Sequence, residues 1–149
     1  MTVDEIAAIP VLSLADDHCR LFLWATSRYL GDAFDVLERW GFKYIQTVVW
    51  KKTGNPSPFG GSVAPNHAEF FLIGKRGAPP LWTRWTSSVI EVPAAQCFNH
   101  SRKPDVFQDL VEQVSGGPYL ELFARRQRLG WDTWGDEALE HVQIGDVDA

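Results

Sequence analysis

The sequence predicts an α/β fold, a sheet with flanking helices, on three observations. Short β-branched and aromatic runs alternate with stretches of helical periodicity, the order expected of strand and helix layers. The 149 residues suit one domain, long enough to bury about two-thirds of the unfolded surface. Hydrophobic residues make up 45% of the chain, with seven Trp and nine Phe to fill an aromatic core.

The elements follow in order. Thr2 with Glu5 three residues on has the form of a capping box and predicts a short helix to Ala8, with a turn at Pro10 before Val11 to Leu14. Cys19 to Ala25 is mostly apolar and predicts a buried parallel strand. Tyr29, Leu30, Phe34, Leu37 and Trp40 recur at helical spacing within Ser27 to Trp40, and Gly41 ends that helix. Tyr44 to Trp50 and Ala68 to Gly74 predict two further strands, Val89 to Val92 a fourth. The stretch Lys52 to His67 between two of them is rich in Gly, Pro, Ser and Asn, and a loop of that length inside a domain usually carries function.

The most informative stretch runs from Asn99 to Gly135. A basic turn, His100, Ser101, Arg102, Lys103 and Pro104, leads into Val106, Leu110, Val111 and Val114, whose spacing gives a helix one apolar face. Gly116, Gly117 and Pro118 stop it, and Tyr119 to Phe123 follows as a fifth, buried strand interrupted only by Glu121. Ala124 and Arg125 then open a loop at the strand's carboxyl end, the edge where open α/β sheets bind ligands. Periodicity is lost after Trp134. Residues 1–138 are expected to form the domain, and the acidic segment 139–149 a frayed tail.

The net charge of −5 conceals an uneven distribution. Residues 1–40 hold three basic and seven acidic groups, residues 41–131 eleven and six, residues 132–149 none and six. The basic middle, including Lys51, Lys52, Lys75, Arg76, Arg84, Arg102, Lys103, Arg125, Arg126 and Arg128, fits either a surface facing phosphates or solvated side chains on separate loops. Cys19 and Cys97 are too few for a disulfide framework and read as buried thiols, and the four His show no ligand spacing, so no metal is expected. No apolar run is long enough for a membrane span, and Met1 to Pro10 lacks the form of a secretory signal, which predicts a cytoplasmic protein.

The segments SRKPD, LELFARR and GWDTWG resemble the carboxyl half of the N6-adenine methyltransferases related to the catalytic subunit of the eukaryotic messenger-RNA adenosine methyltransferase, a family with bacterial and phage members. TVDEIAAIPV, LFLWAT, the WGF to VVWKK segment and AEFFLIGKRG fall in the family's order upstream, so the resemblance covers almost the whole chain. It implies a Rossmann-like S-adenosylmethionine-dependent methyltransferase sheet and methyl transfer to the exocyclic amine of adenine, with DNA expected ahead of RNA and the choice between them left open by the sequence. Nucleic acid would be the partner, with a homodimer or a partner methyltransferase subunit as further expectations.

By the same resemblance, Phe123, Ala124, Arg125 and Gln127 would lie at the cofactor, and Asp136 and Glu137 would match a terminal Gly-Asn-(Gln/Glu) pattern that holds the ribose hydroxyls. Asp136 stands where the family has Asn, which keeps an acceptor and removes the amide donor. Asn66, His67, Arg102 and Lys103 would face the substrate. Trp82 and Trp85, in a polar loop, are the stacking candidates, with Trp82 preferred, while Trp24, Trp40 and Trp50 are assigned to the core. Glu121 stays open between a cofactor role and pairing with a neighbouring basic loop.

One departure stands out. The family's Asp-Pro-Pro-Trp motif, which aligns the amine and offers an aromatic surface to the base, occurs nowhere in the sequence. The catalytic residue is therefore unassigned, and the domain is expected to be N-terminally incomplete, as a start codon placed downstream of the true one would make it. The alternative is an inactive module, descended from such an enzyme, that binds nucleic acid or supports a partner.

Overall fold

The computed structural model describes residues 1–54, 62–94, 102–135 and Ile144, and the structural statements that follow concern these. Helix α1 (Val3–Ala8) starts at the expected capping box: Thr2 Oγ1 accepts from the Glu5 backbone N–H at 3.2 Å, and a Glu5 carboxylate oxygen accepts from the Thr2 N–H at 2.5 Å. Helix α2 (Val11–Leu14) follows after Pro10. Strand β1 (Cys19–Ala25) leads to a 3₁₀ turn, Ser27–Tyr29, and helix α3 (Leu30–Arg39), so the expected helix is divided at its first turn. Gly41, at φ 76°, ends α3 with two closing hydrogen bonds, Gly41 N–H to Glu38 O and Phe42 N–H to Leu37 O.

Strands β2 (Lys43–Thr53), β3 (Ala68–Arg76) and β4 (Val89–Pro93) complete a four-stranded sheet of order β1-β3-β2-β4. Strand β3 runs antiparallel to both β1 and β2, while β2 and β4 are parallel. The expectation of a buried parallel strand at Cys19 to Ala25 is corrected here. β1 and β2 point the same way, as their α3 crossover requires, but β3 inserts between them, and β1 is left as a partly buried strand at the sheet's end.

Helix α4 (Asp105–Val114) leads to strand β5 (Tyr119–Leu122), which pairs in parallel with β6 (Trp131–Trp134), a strand the sequence reading did not anticipate. Phe123 lies just beyond β5 rather than in it. The buried face of α4 centres on Phe107, Val111 and Val114, with Val106 and Leu110 at its margin.

Alternation along the strands builds two cores. Leu72 packs on one face of the larger sheet with Ala33, Val36 and Leu37 of α3 and with Trp134. Phe71 and Ile73 face the other way, against Phe107 and Val111 of α4 and Trp131. The result is helix, sheet and helix in three layers. Ile144, the one described residue of the segment 139–149, is buried in the first core. Cys19 is partly exposed, its thiol donating to the Asp16 carbonyl, and Cys97 lies outside the described residues. No helix among the described residues is long and apolar enough to cross a membrane, and no cluster of His, Cys, Asp or Glu among them could hold a metal ion.

Candidate functional site

Chain direction brings several strand ends to one edge. The carboxyl ends of β1 and β2 lie beside the amino end of β3, where Trp50 pairs with Glu69 and Ala25 with Phe70. The amino end of α4 joins this edge through Lys103, and the carboxyl end of β5 joins through Arg126, which reaches Asp105 in the first turn of α4. Ligands collect at such edges in open α/β sheets.

A compact charge cluster occupies the edge. Glu69 is only 9% exposed, yet its two carboxylate oxygens accept from Lys52 Nζ at 2.6 Å and from Lys103 Nζ. Burial alone would push its pKa up, but the hydrogen bonds from Lys103 and Lys52 and their charges outweigh it and hold the carboxyl below its ordinary value. Each ammonium also lies over an indole face, Lys103 at 5.2 Å from the Trp24 ring centre and Lys52 at 4.9 Å from that of Trp50. Two cations and one buried anion thus leave a positive excess above an aromatic floor.

The end of β5 is built from backbone. Phe123 sits at φ 59°, a left-handed conformation rare outside glycine, and its exposed ring meets Trp134 edge-on at 5.3 Å. The Ala124 N–H donates to the Trp134 carbonyl at 3.0 Å. Gly135 lies against this turn so closely that a Cβ there would stand 2.5 Å from Ala124 N and 2.6 Å from Ala124 O. Beside the turn, the half-buried Glu121 carboxylate accepts from the Gln108 amide at 2.8 Å. Burial raises the Glu121 pKa, partly countered by the charges of Arg126 and Arg128.

The expected site residues fall into separate groups. Lys103, Arg102, Asn66 and His67 lie at this edge: Arg102 pairs with Asp105 at 3.2 Å, and the His67 carbonyl accepts from Lys52 N–H at 2.8 Å. Phe123, Ala124, Arg125 and Gln127 form the turn and loop after β5, with Arg125 and Gln127 exposed. Asp136 and Glu137, like His100 and Ser101, lie outside the described residues, though Gly135 carries the chain to the Ala124 turn.

Trp82 is not brought to this edge. Its backbone N–H donates to the Val114 carbonyl at the far end of α4, and its ring covers Gly116, about 15 Å along the helix from Lys103. Trp85 is drawn into the second core, stacked on Phe71 with its indole N–H on the Leu110 carbonyl. The aromatic side chains at the charge cluster are Trp50 and Trp24, the latter also packing on Phe71 and Phe107.

The expected basic surface is largely paired internally. Lys51 meets Glu91, Arg76 meets Asp17, Arg126 meets Asp105, and Arg128 meets Asp109 and Glu112. A cleft of about 390 Å³ opens between β4 and the start of α4, lined by Ile90, Val92, Arg102, Pro104 and Val106.

Glu69 and Gln108 are the residues that sequence reasoning missed, while Lys52 enters it only as one of the basic residues of the middle segment. A signal for Glu69 existed: a lone carboxylate at the head of the apolar strand AEFFLIG must be either exposed or paired.

Comparison with known proteins gives a consistent pattern. The MT-A70 family profile matches residues 1–137. The chain is 31% identical over 155 residues to the Type II methyltransferase M.MunI of Mycoplasma sp, an alignment covering 99% of this chain and 64% of that protein. It is 29% identical to the N(6)-adenine-specific methyltransferase METTL4 of Homo sapiens, covering 94% of this chain and 33% of that protein. With the N(6)-adenosine-methyltransferase catalytic subunit METTL3 of Homo sapiens it shares 28% identity, over 99% of this chain and 26% of the relative. The chain therefore spans under two-thirds of the length of each of these relatives.

Proposed function

The chain belongs to the MT-A70 family, and from that premise we propose that it holds the cofactor and the target base in an S-adenosylmethionine-dependent N6-adenine methyltransferase acting on DNA rather than RNA. Its sheet with flanking helices is of the S-adenosylmethionine-dependent methyltransferase type. The observation that carries the reading is that the start of α4 gathers two groups, the Glu69, Lys52 and Trp24 cluster through Lys103 and the loop after β5 through the pairing of Arg126 with Asp105. DNA is placed ahead of RNA on the similarity to a bacterial Type II methyltransferase.

The residues at the edge fit a nucleoside cofactor. The exposed Phe123 ring gives an apolar face, Glu121 supplies hydrogen-bond acceptors suited to ribose hydroxyls, and the close Gly135 and Ala124 backbones keep the turn in shape. S-adenosylmethionine supplies an electrophilic methyl group when bound. In this reading Trp24 and the Lys103 ammonium face the base: the indole gives a stacking surface, and the donors not spent on Glu69 meet ring nitrogens or phosphate. Glu69 keeps both ammonium groups in place. Such positioning is the main contribution a methyl transfer needs from these groups.

A second reading stands beside it. Under it the chain binds nucleic acid, or supports a partner methyltransferase subunit, without transferring a methyl group itself.

Titration of the purified chain with S-adenosylmethionine by calorimetry tests the reading, followed by transfer of a radiolabelled methyl group to adenine-containing DNA and RNA. Saturable binding with transfer to DNA is the expected result. Binding without transfer selects the second reading, and a folded chain that binds no cofactor overturns the first.

A further inference from the structure

A chain of polar contacts runs along the first turns of α4 and ends at Glu121. Arg102 donates to Asp105 at 3.2 Å, Arg126 donates to Asp105 at 2.5 Å and to Gln108 Oε1 at 2.7 Å, and Gln108 Nε2 donates to Glu121 at 2.8 Å. Asp105 and Gln108 are three residues apart and share one helix face, so both can be reached by Arg126.

The Gln108 amide has one workable orientation. A guanidinium only donates and an ionised carboxylate only accepts, so the amide oxygen must face Arg126 and the NH₂ must face Glu121. Reversal would set donor against donor and acceptor against acceptor. The Arg126 contact therefore fixes which atom Gln108 offers to Glu121.

We propose that Gln108 is a positioning residue for the nucleoside site: its amide, locked by Arg126, holds the Glu121 carboxylate in the orientation in which it accepts from the vicinal hydroxyls of a ribose. The inference rests on the reading that the β5 edge binds S-adenosylmethionine, and adds to it the residue that aims the ribose acceptor. A carboxylate offers about four acceptor directions, and Gln108 occupies one of them. Its hydrogen bond also favours the ionised carboxylate against the burial that opposes it. The other groups around Glu121 are Arg126 and Arg128 from the loop, Asp105 from α4, and the uncharged Thr133 opposite it on β6.

The experiment compares wild type, Gln108→Met, Glu121→Gln and the double variant, each first shown to be folded by its urea transition. S-adenosylmethionine affinity is measured against pH, and the Glu121 carboxyl is followed by carbon-13 NMR titration. Gln108→Met should weaken binding about tenfold, raise the pH below which affinity falls, and move the Glu121 titration upward. It should cost little more once Glu121 is already Gln, because the two act through one contact. An equal loss in both backgrounds, or an unmoved Glu121 titration, overturns the proposal. If wild type binds no S-adenosylmethionine, the reading of the site fails and the ribose role falls with it; the NMR titration then decides separately whether Gln108 orients Glu121. Should Gln108→Met not fold, Gln108→Asn, which keeps an amide too short to bridge both partners, replaces it with the same expected direction.

Discussion

Lys103, from the turn ahead of α4, forms an ion pair with Glu69 at the head of β3, across a sequence separation of 34 residues. The pair closes the helix layer onto the sheet. Lys52 completes it from β2, and the side chains of Glu69, Lys52 and Lys103 retain only 11%, 23% and 28% of their exposure. Removing the anion leaves two partly buried ammonium groups facing each other, and breaking a buried pair in this way costs about 3 kcal/mol. Glu69→Gln is therefore expected to lower the urea midpoint strongly at pH 7. Because the folded Glu69 pKa is lowered, its stabilisation is complete above the ordinary carboxylate value near 4.5 and is lost as pH falls through the lower folded value. Wild type should lose stability across that acid window and Glu69→Gln should be flatter there; equal slopes would contradict the assignment.

Glu121 predicts the opposite behaviour. Its folded pKa is raised, so between the ordinary value near 4.5 and the raised one the folded state binds the extra proton, and stability falls as pH rises. Glu121→Gln is expected to leave the urea midpoint at pH 7 unchanged or higher, since Gln108 can still donate to the new amide oxygen. The same substitution should weaken S-adenosylmethionine binding about tenfold or more, the scale of a lost charged hydrogen bond. A variant both less stable and normal in binding would mark Glu121 as structural.

Glu112 ties the Arg128 loop to α4 and to β6. One oxygen accepts from Arg128 Nε at 2.8 Å and from the Trp131 indole N–H at 2.7 Å, the other from Arg128 Nη2 at 3.0 Å. Glu112→Ala should cost about 1–2 kcal/mol, read from a urea transition followed by tryptophan fluorescence. Arg128→Ala should cost less, because Trp131 keeps its acceptor and Asp109 is exposed to water once Arg128 is gone. The reverse order would show that the guanidinium, and not the carboxylate, is the anchor.

Local signals in the sequence were sufficient for some of this and not for the rest. The Thr2 and Glu5 box, the Gly41 stop and the start of α4 after Lys103-Pro104 depend on neighbours within a few residues, and the structure places them as the residues dictate. The antiparallel insertion of β3 between β1 and β2 depends on pairing between distant segments, which strand composition does not encode. Strand β6 is four residues long, and its alternation of Trp131 and Thr133 with Asp132 is too brief to separate from a loop. Partner choice is equally non-local. Arg126 and Arg128 look like phosphate ligands in a list of charges, yet carboxylates on α4 reach them first. The same applies to Trp24 and Trp82, of which only Trp24 reaches the edge, because they meet opposite ends of α4.

Gly135 offers a test of the backbone that shapes the end of β5, where we propose the cofactor binds. Its neighbours at the Cβ position are Ala124 N at 2.5 Å, Ala124 O at 2.6 Å and Phe123 C at 2.8 Å, all main-chain atoms that cannot swing aside as a side-chain tip would. Gly135→Ala must push the Phe123 turn away from β6, lengthening the Ala124 to Trp134 hydrogen bond and parting the Phe123 and Trp134 rings. Overpacking of this kind costs about 1–3 kcal/mol. Because the strain falls on the turn and not on the two main cores, the variant is expected to fold with a lowered urea midpoint and an altered Trp134 emission, and to bind S-adenosylmethionine more weakly. Gly31, around which nothing lies within 4 Å, is the control: as an exposed position inside α3, Gly31→Ala should raise stability by about 0.5–1 kcal/mol and leave binding untouched. If both substitutions behave alike, the close approach of Gly135 to Ala124 does not constrain the site.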